Sequence, residues 1–177
     1  MYIELATSNQ ISHYVQNTPN LQNIPHLQGT GVPTEVGPCA DFVLLIIENA
    51  THRRVQNKHT VFNHNLTQID RGTLIRRVED IDRCLPGEIL IVVDNNASVN
   101  NNVKHYMMYV GNIEVNNHVI NVIGTNGNLN IKINVPDDYH NSQAYRITAN
   151  SFDDKGLFKY DSAGGNYSLF CIGYNLA

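Results

Sequence analysis

The distribution of apolar residues divides the chain into a helical first half and a strand-rich second half. Residues 1–37 are rich in Asn, Gln, Pro and Gly, and there we expect loops with one short helix near residues 11–16. The longest apolar run, CADFVLLIIENATHRRV, begins at Cys39 directly after Gly37-Pro38, a pair typical of a helix start. Its β-branched residues would also suit a strand, but the polar residues at its end favour a helix. Because the run is apolar on most of its surface, this helix should be buried.

Short β-rich runs follow in the second half of the chain. Charged residues recur over residues 66–83 and indicate an exposed helix with connecting segments. Beyond them, six apolar runs are separated by Asn, Gly and Pro: 88–93, 105–110, 118–123, 129–135, 144–147 and 169–174. Asn126-Gly127 is a hairpin signal between two of these runs. Since strands do not alternate with helices, we expect an α+β fold, in which residues 1–177 form a single domain with N-terminal helices packed on an antiparallel sheet.

The charge distribution and the first residues of the chain argue against binding to nucleic acid and against insertion into a membrane. The net charge is −4, and basic residues cluster only at 53–54 and 76–77, so we expect no nucleic-acid binding. The first residues lack a basic segment followed by an apolar stretch, so we expect neither a signal peptide nor a membrane anchor. If the protein leaves its cell, a dedicated secretion system must carry it.

The three cysteines are the first candidates for chemistry. An odd number cannot all pair within the chain, so at least one should be a free thiol, and their spacing matches no zinc motif. Cys39 lies where a helix is predicted to begin, and there the helix dipole and free backbone N–H groups lower a thiol's pKa and raise its reactivity. Most free cysteines are simply small buried apolar residues, and that interpretation is preferred for Cys84 and Cys171.

A thiol nucleophile needs a base, which is usually a histidine from elsewhere in the chain. Most of the eight histidines lie in polar stretches typical of the surface. His105 differs, because it opens an apolar strand directly after an Asn-rich loop. His59 and His64 could instead bind a metal ion together with a carboxylate. Their five-residue spacing does not place both side chains on one face of a helix, so we expect no metal site.

Four short motifs, taken in order, resemble the NlpC-type cysteine peptidases and amidases and their CHAP relatives, which share a papain-like fold. CADFV at 39–43 is similar to the family's segment that opens the catalytic helix. PGEIL at 86–90 resembles its turn into the first strand, and HYMMYVG at 105–111 resembles the strand that begins with the catalytic histidine. Asn121 falls on the next strand, where the family has the polar residue that orients the imidazole. If Asn121 points away from His105, Asn126 and His118 are the next candidates for this role.

The resemblance implies a cysteine hydrolase with Cys39 as nucleophile, His105 as general acid and base, and Asn121 as the orienting residue. No metal or organic cofactor would be needed. The implied substrate is an amide bond in a peptidoglycan stem peptide. Such a catalytic domain is typical of an antibacterial toxin, an effector that a secretion system delivers to the target-cell periplasm, with a cognate immunity protein as partner. A cytoplasmic site of action is the alternative.

Some features depart from the family pattern. Pro38 stands where the family has an acidic residue, Ala40 and Asp41 replace Ser and Gly, and bulky Tyr106-Met107 follows the histidine. These changes put the substrate specificity in doubt more than the chemistry. Two other functions therefore remain open. One is a papain-like effector that cleaves or deamidates a host protein, and the other is a non-enzymatic β-rich binding module.

Overall fold

The computed structural model describes residues 3–18, 36–64, 72–97, 102–115, 117–125, 144–160 and 165–177. These residues form four α-helices: α1 (Leu5–Asn17), α2 (Pro38–Thr51), α3 (Lys58–Val61) and α4 (Val78–Ile81). They also form six strands: β1 (Thr73–Ile75), β2 (Ile89–Asp94), β3 (Val103–Val115), β4 (His118–Gly124), β5 (Ala144–Tyr145) and β6 (Tyr167–Ile172). A short 3₁₀ helix spans Ala149–Ser151.

The six strands make one antiparallel sheet in the order β1-β6-β2-β3-β4-β5. The central strands β2 and β3 are bordered by strands on both sides, as strands with near-continuous apolar runs require. The two long helices precede the sheet in sequence, so the predicted α+β class is confirmed. The predicted hairpin at 126–127 and the run at 129–135 lie outside the described residues.

Helix α2 forms where the longest apolar run predicted a buried helix. Pro38 occupies its first turn, and every residue from 40 to 49 is buried. The helix ends at His52, which has the left-handed conformation and donates its backbone N–H to the Glu48 carbonyl at 2.8 Å. Two polar side chains near this end bond back to the helix, since Asn49 donates to the Leu45 carbonyl and Thr51 donates to the Ile47 carbonyl. These bonds permit polar residues in a buried helix.

The sheet has two different buried faces. Along β2, Ile89, Ile91 and Val93 pack on one face in a core that also contains the residues of α1 and α2. The alternating residues Leu90 and Val92 pack on the other face. There the sheet is covered by side chains of α4 and of the segments that follow β5: Ile81, Ile147, Phe152 and Phe158. We call these the helix face and the opposite face.

The Pro86-Gly87 turn, which leads into β2, packs against α1. Gly87 has φ of +98°, and a Cβ atom there would lie 2.7 Å from Cδ1 of Ile11 in α1. The Tyr174 hydroxyl donates to the Gly87 carbonyl at 2.7 Å. Only glycine allows both this backbone conformation and this close approach of the helix.

Two regions differ from the sequence prediction. The charged stretch at 66–83, predicted to be mainly helical, contains strand β1 and only one turn of helix in its described part. Helix α1 is longer than predicted. Its buried side is formed by Thr7, Ser8, Ile11 and Val15, so two of the four positions are polar and the apolar pattern alone did not reveal the full helix. None of the described helices is long and apolar enough to cross a membrane.

Candidate cysteine site

Cys39 lies in the first turn of α2, at the edge of the helix-face core. It is half-buried, whereas Cys84 and Cys171 are buried. Because α2 packs against β3, the thiol is next to the β3 backbone and hydrogen-bonds with the backbone of Tyr106. Of the three cysteines, Cys39 is therefore the most accessible to solvent.

The surroundings of Cys39 act on its thiol in opposite directions. Burial raises the pKa of the thiol and is the largest effect. Backbone groups of Tyr106, Ala40 and Cys39 itself bond to the sulfur and lower the pKa, and the Asp41 carboxylate raises it. The net pKa is raised, which is opposite to the expectation from the helix start alone. The thiol is consequently protonated at neutral pH unless a base approaches it.

His105 lies in β3, but its side chain projects from the opposite face of the sheet. Its pairing partner Val92 belongs to the opposite-face core. A Cβ atom on Gly124 would lie 3.5 Å from Nε2 of His105 and 3.3 Å from Cγ of Met107, another residue of that core. The position that faces α2 is taken by Tyr106. The structure therefore does not bring the His105 imidazole to the Cys39 thiol.

A β-bulge in β3 decides this orientation. His105 pairs with Val92, whereas Val103 pairs with Val93, so Lys104 is an extra residue between the two pairs. Side chains in a strand point alternately to the two faces, and a shift of one residue reverses the face that each side chain meets. Placing His105 toward Cys39 would require β3 to pair with β2 in a different register at this point.

The environment of His105 suits a neutral imidazole. The residue is 9% exposed, and its ring centroid lies 5.9 Å from that of Tyr160, with 30° between the ring planes. Burial lowers the pKa of His105 to about 4. In this position the imidazole is a weak base that packs against an aromatic ring.

Asn121 has a structural role and does not orient His105. Its amide oxygen accepts the backbone N–H of Ile147 at 2.8 Å, and its amide nitrogen donates to the Ile147 carbonyl at 3.2 Å. The predicted bond to His105 is absent because both amide atoms serve the chain just after β5. The exposed His118, a second candidate for this role, lies at the other end of β4, opposite Val115. Asn126, a third candidate, is outside the described residues.

Sequence reasoning missed Tyr106 as the residue next to the cysteine. Its hydroxyl donates to the Asn63 carbonyl at 2.8 Å, and burial raises its pKa well above the ordinary value. It is therefore a packing residue and no substitute for a histidine base. Among the described residues, no histidine is a hydrogen-bond or charge neighbour of the Cys39 sulfur. The same part of the chain contains no group of three or more His, Cys, Asp or Glu arranged to hold a metal ion.

The chain matches no protein-family model, and neither a curated protein nor a solved structure matches it. The resemblance to NlpC-type enzymes thus rests on the sequence motifs alone. Of the predicted trio, Cys39 has the expected position at a helix start against β3, while the other two side chains are directed elsewhere.

We predict that Asn121→Ala lowers the free energy of unfolding by about 2 kcal/mol, because it leaves a buried N–H and a buried C=O of Ile147 without partners. Urea denaturation measures the change. The exposed Asn112 of β3 offers a matched control, and Asn112→Ala should change the stability by less than about 0.5 kcal/mol. Equal losses in the two variants would contradict the structural role of Asn121.

We predict that His105 makes the protein less stable as the pH falls from about 6.5 to 4. The unfolded chain takes up the proton near pH 6.5, whereas the folded protein takes it up only near pH 4, so acid favours unfolding. Relative to His105→Gln, wild type should lose about 3 kcal/mol over this interval. The control is His118→Gln, which changes an exposed histidine. If wild type and His105→Gln show the same pH dependence, His105 is not buried in its neutral form.

We predict that iodoacetamide modifies Cys39 before the two buried cysteines, and that the rate rises about tenfold per pH unit between pH 7 and 8. The raised pKa keeps the thiol protonated, so the reactive thiolate grows in proportion to hydroxide. Mass mapping of the native protein after short exposures measures the rate. A rate that stays constant over this range would show a thiolate already formed at neutral pH, as in a cysteine paired with histidine.

Proposed function

We propose that the protein is a cysteine-dependent amide hydrolase with Cys39 as its nucleophile. The observation that carries the proposal is the position of Cys39. It is the most exposed of the three cysteines, and it lies in the first turn of a buried helix with backbone groups bonded to its sulfur. A thiol at such a helix start can attack a carbonyl carbon while backbone N–H groups at the helix start bind the developing oxyanion.

The proposed reaction has two steps. The Cys39 thiolate attacks the amide carbonyl, and the amine leaves with a proton to give a thioester. Water then attacks the thioester carbonyl and releases the acid, and the thiol is regenerated. Both steps need a group that transfers protons, because the pKa of the Cys39 thiol is raised by burial.

His105 is the base that the family resemblance implies, and it is only one residue away in sequence from Tyr106, whose backbone bonds to the Cys39 thiol. For it to serve, the register of β3 at the Lys104 bulge would have to change so that the imidazole turns to the helix face. A substrate bound at Cys39 would have to favour that register. The His105 ring would then leave its buried position next to Tyr160 and lie beside the Cys39 thiol.

The proposed substrate is a peptidoglycan stem peptide, and the support for it is the resemblance of the four motifs to wall-degrading enzymes. We propose accordingly that the protein acts as an antibacterial effector in the target-cell periplasm, with an immunity protein as its partner. A host protein as substrate is the alternative within the same chemistry.

A second function, a β-rich binding module without enzymatic activity, is favoured by one specific observation. His105 and Asn121 both have local partners on or near the opposite face, Tyr160 for the imidazole and the Ile147 backbone for the amide. With those roles they need no catalytic explanation, and Cys39 would then be a half-buried structural residue.

We predict that the wild-type protein releases new fragments from purified muropeptides and that Cys39→Ala releases none, because the nucleophile forms the thioester. Mass spectrometry of the digest measures the fragments, and thermal melts of the same samples show that both proteins are folded. His118→Ala changes an exposed histidine at the start of β4 and should retain full activity.

His105→Ala separates the two functions further. If the imidazole acts as base, this variant loses most of the activity while it remains folded. Cleavage by Cys39→Ala at the wild-type rate would rule out the proposed nucleophile. Binding of muropeptides without cleavage by the wild-type protein would support the binding module instead.

A further inference from the structure

Two cysteines distant in sequence meet in the core of the opposite face. Cys84 and Cys171 are 6% and 5% exposed, and both belong to the same apolar cluster. Their thiols are in hydrogen-bond contact with each other. Tyr109 belongs to the same cluster. None of these groups takes part in the site at Cys39.

Regular structure holds each of the two cysteines in place. Cys171 lies in β6 between two neighbours, where it is opposite Thr73 of β1 and Leu90 of β2. Cys84 follows α4, and its backbone N–H donates to the Ile81 carbonyl at 3.0 Å. The two thiols therefore meet where the turn after α4 packs on β6, the second strand of the sheet.

Glu88 completes the cluster. It is 1% exposed, its carboxylate accepts the Leu85 N–H at 2.6 Å, and it also hydrogen-bonds with the Cys171 thiol. The hydrogen bond with Cys84 is the largest effect that raises the pKa of the Cys171 thiol, and burial raises it further. The Cys171 thiol therefore lies between the Glu88 carboxylate and the Cys84 thiol and hydrogen-bonds with both.

We propose that Cys84 and Cys171 are a redox-active pair that closes to an intrachain disulfide, while Cys39 remains the free thiol. Two thiols that already hydrogen-bond with each other must approach only until their sulfur atoms are about 2.05 Å apart, the length of a disulfide bond. The odd number of cysteines agrees with this division, because one thiol must stay unpaired. The proposal does not depend on the hydrolase activity.

The oxidant is a small-molecule disulfide, such as oxidised glutathione. Local opening of the turn after α4 exposes Cys84, whose thiolate attacks the small disulfide, forms a mixed disulfide and releases one small thiolate. The Cys171 thiolate then attacks the Cys84 sulfur and releases the second small thiolate. The two protons lost by the protein end on the two released thiols, so two protein thiols are oxidised and one small disulfide is reduced.

The closed pair would link the turn after α4 to β6 and restrict the unfolded chain over the long segment between them. Oxidised protein should therefore melt at a higher temperature than reduced protein, by roughly 4–16 °C. Reduction would return the opposite face to its present packing.

Peptide mapping of Cys39→Ala tests the pair without interference from the third thiol. The variant is equilibrated with oxidised glutathione, treated with iodoacetamide under denaturing conditions and digested with trypsin. We expect fragments 84–104 and 160–177 to be joined, with the loss of two hydrogens, and to separate on reduction. The same linkage should form in the wild-type protein, with Cys39 either free or bound to glutathione.

Two serine variants serve as matched controls. Cys39→Ala/Cys84→Ser and Cys39→Ala/Cys171→Ser should give no linked fragments and no rise in melting temperature after oxidation. If Cys84 and Cys171 of oxidised Cys39→Ala are both alkylated on denaturation, the proposal is overturned. A linkage of Cys39 to either residue in the wild-type protein would also overturn it. Neither readout uses enzymatic activity, so the result is independent of the proposed function.

Discussion

The burial of α2 against β3 is the contact on which the rest of the structure depends. The helix is apolar on most of its surface, so it can be stable in water only when other elements surround it. The sheet covers it on one side and α1 covers part of the rest, and every residue from 40 to 49 is removed from solvent. This packing fixes the start of the helix at the edge of the core, which is why Cys39 is next to β3.

Side chains along β3 point alternately to the two faces of the sheet, and this alternation determines which of them lies beside Cys39. Tyr106 and His105 are neighbours in sequence, yet one projects toward α2 and the other away from it. The bulge at Lys104 sets this choice, since one extra residue exchanges the two faces for everything on one side of it. Because of this bulge, Tyr106 and not His105 lies on the face of β3 that meets Cys39. Bulges are common beside active sites for the same reason.

The opposite face has its own buried polar chemistry. Asn121 pairs with both backbone groups of Ile147, which secures the chain after β5. Cys84, Cys171 and Glu88 form a second polar group within the apolar cluster. Buried polar groups are tolerated there because they bond to one another, and such groups hold the covering segments in a defined position. The hydrolytic proposal concerns the helix face and the disulfide proposal concerns the opposite face, so the two can be tested separately.

The amino-acid sequence by itself determined the α+β class, the buried helix from Pro38 and most described strands, because apolar periodicity and Gly-Pro punctuation act locally. It also identified Cys39 as the cysteine at a helix start. Only the tertiary structure decided the partners of His105 and Asn121. Both faces of β3 are apolar, so the pattern carried no information on which face His105 would join or where the bulge would lie. A polar residue within a buried strand, such as Asn121, signals that it has a partner, but only the packing of the chain around Ile147 shows that the partner is backbone.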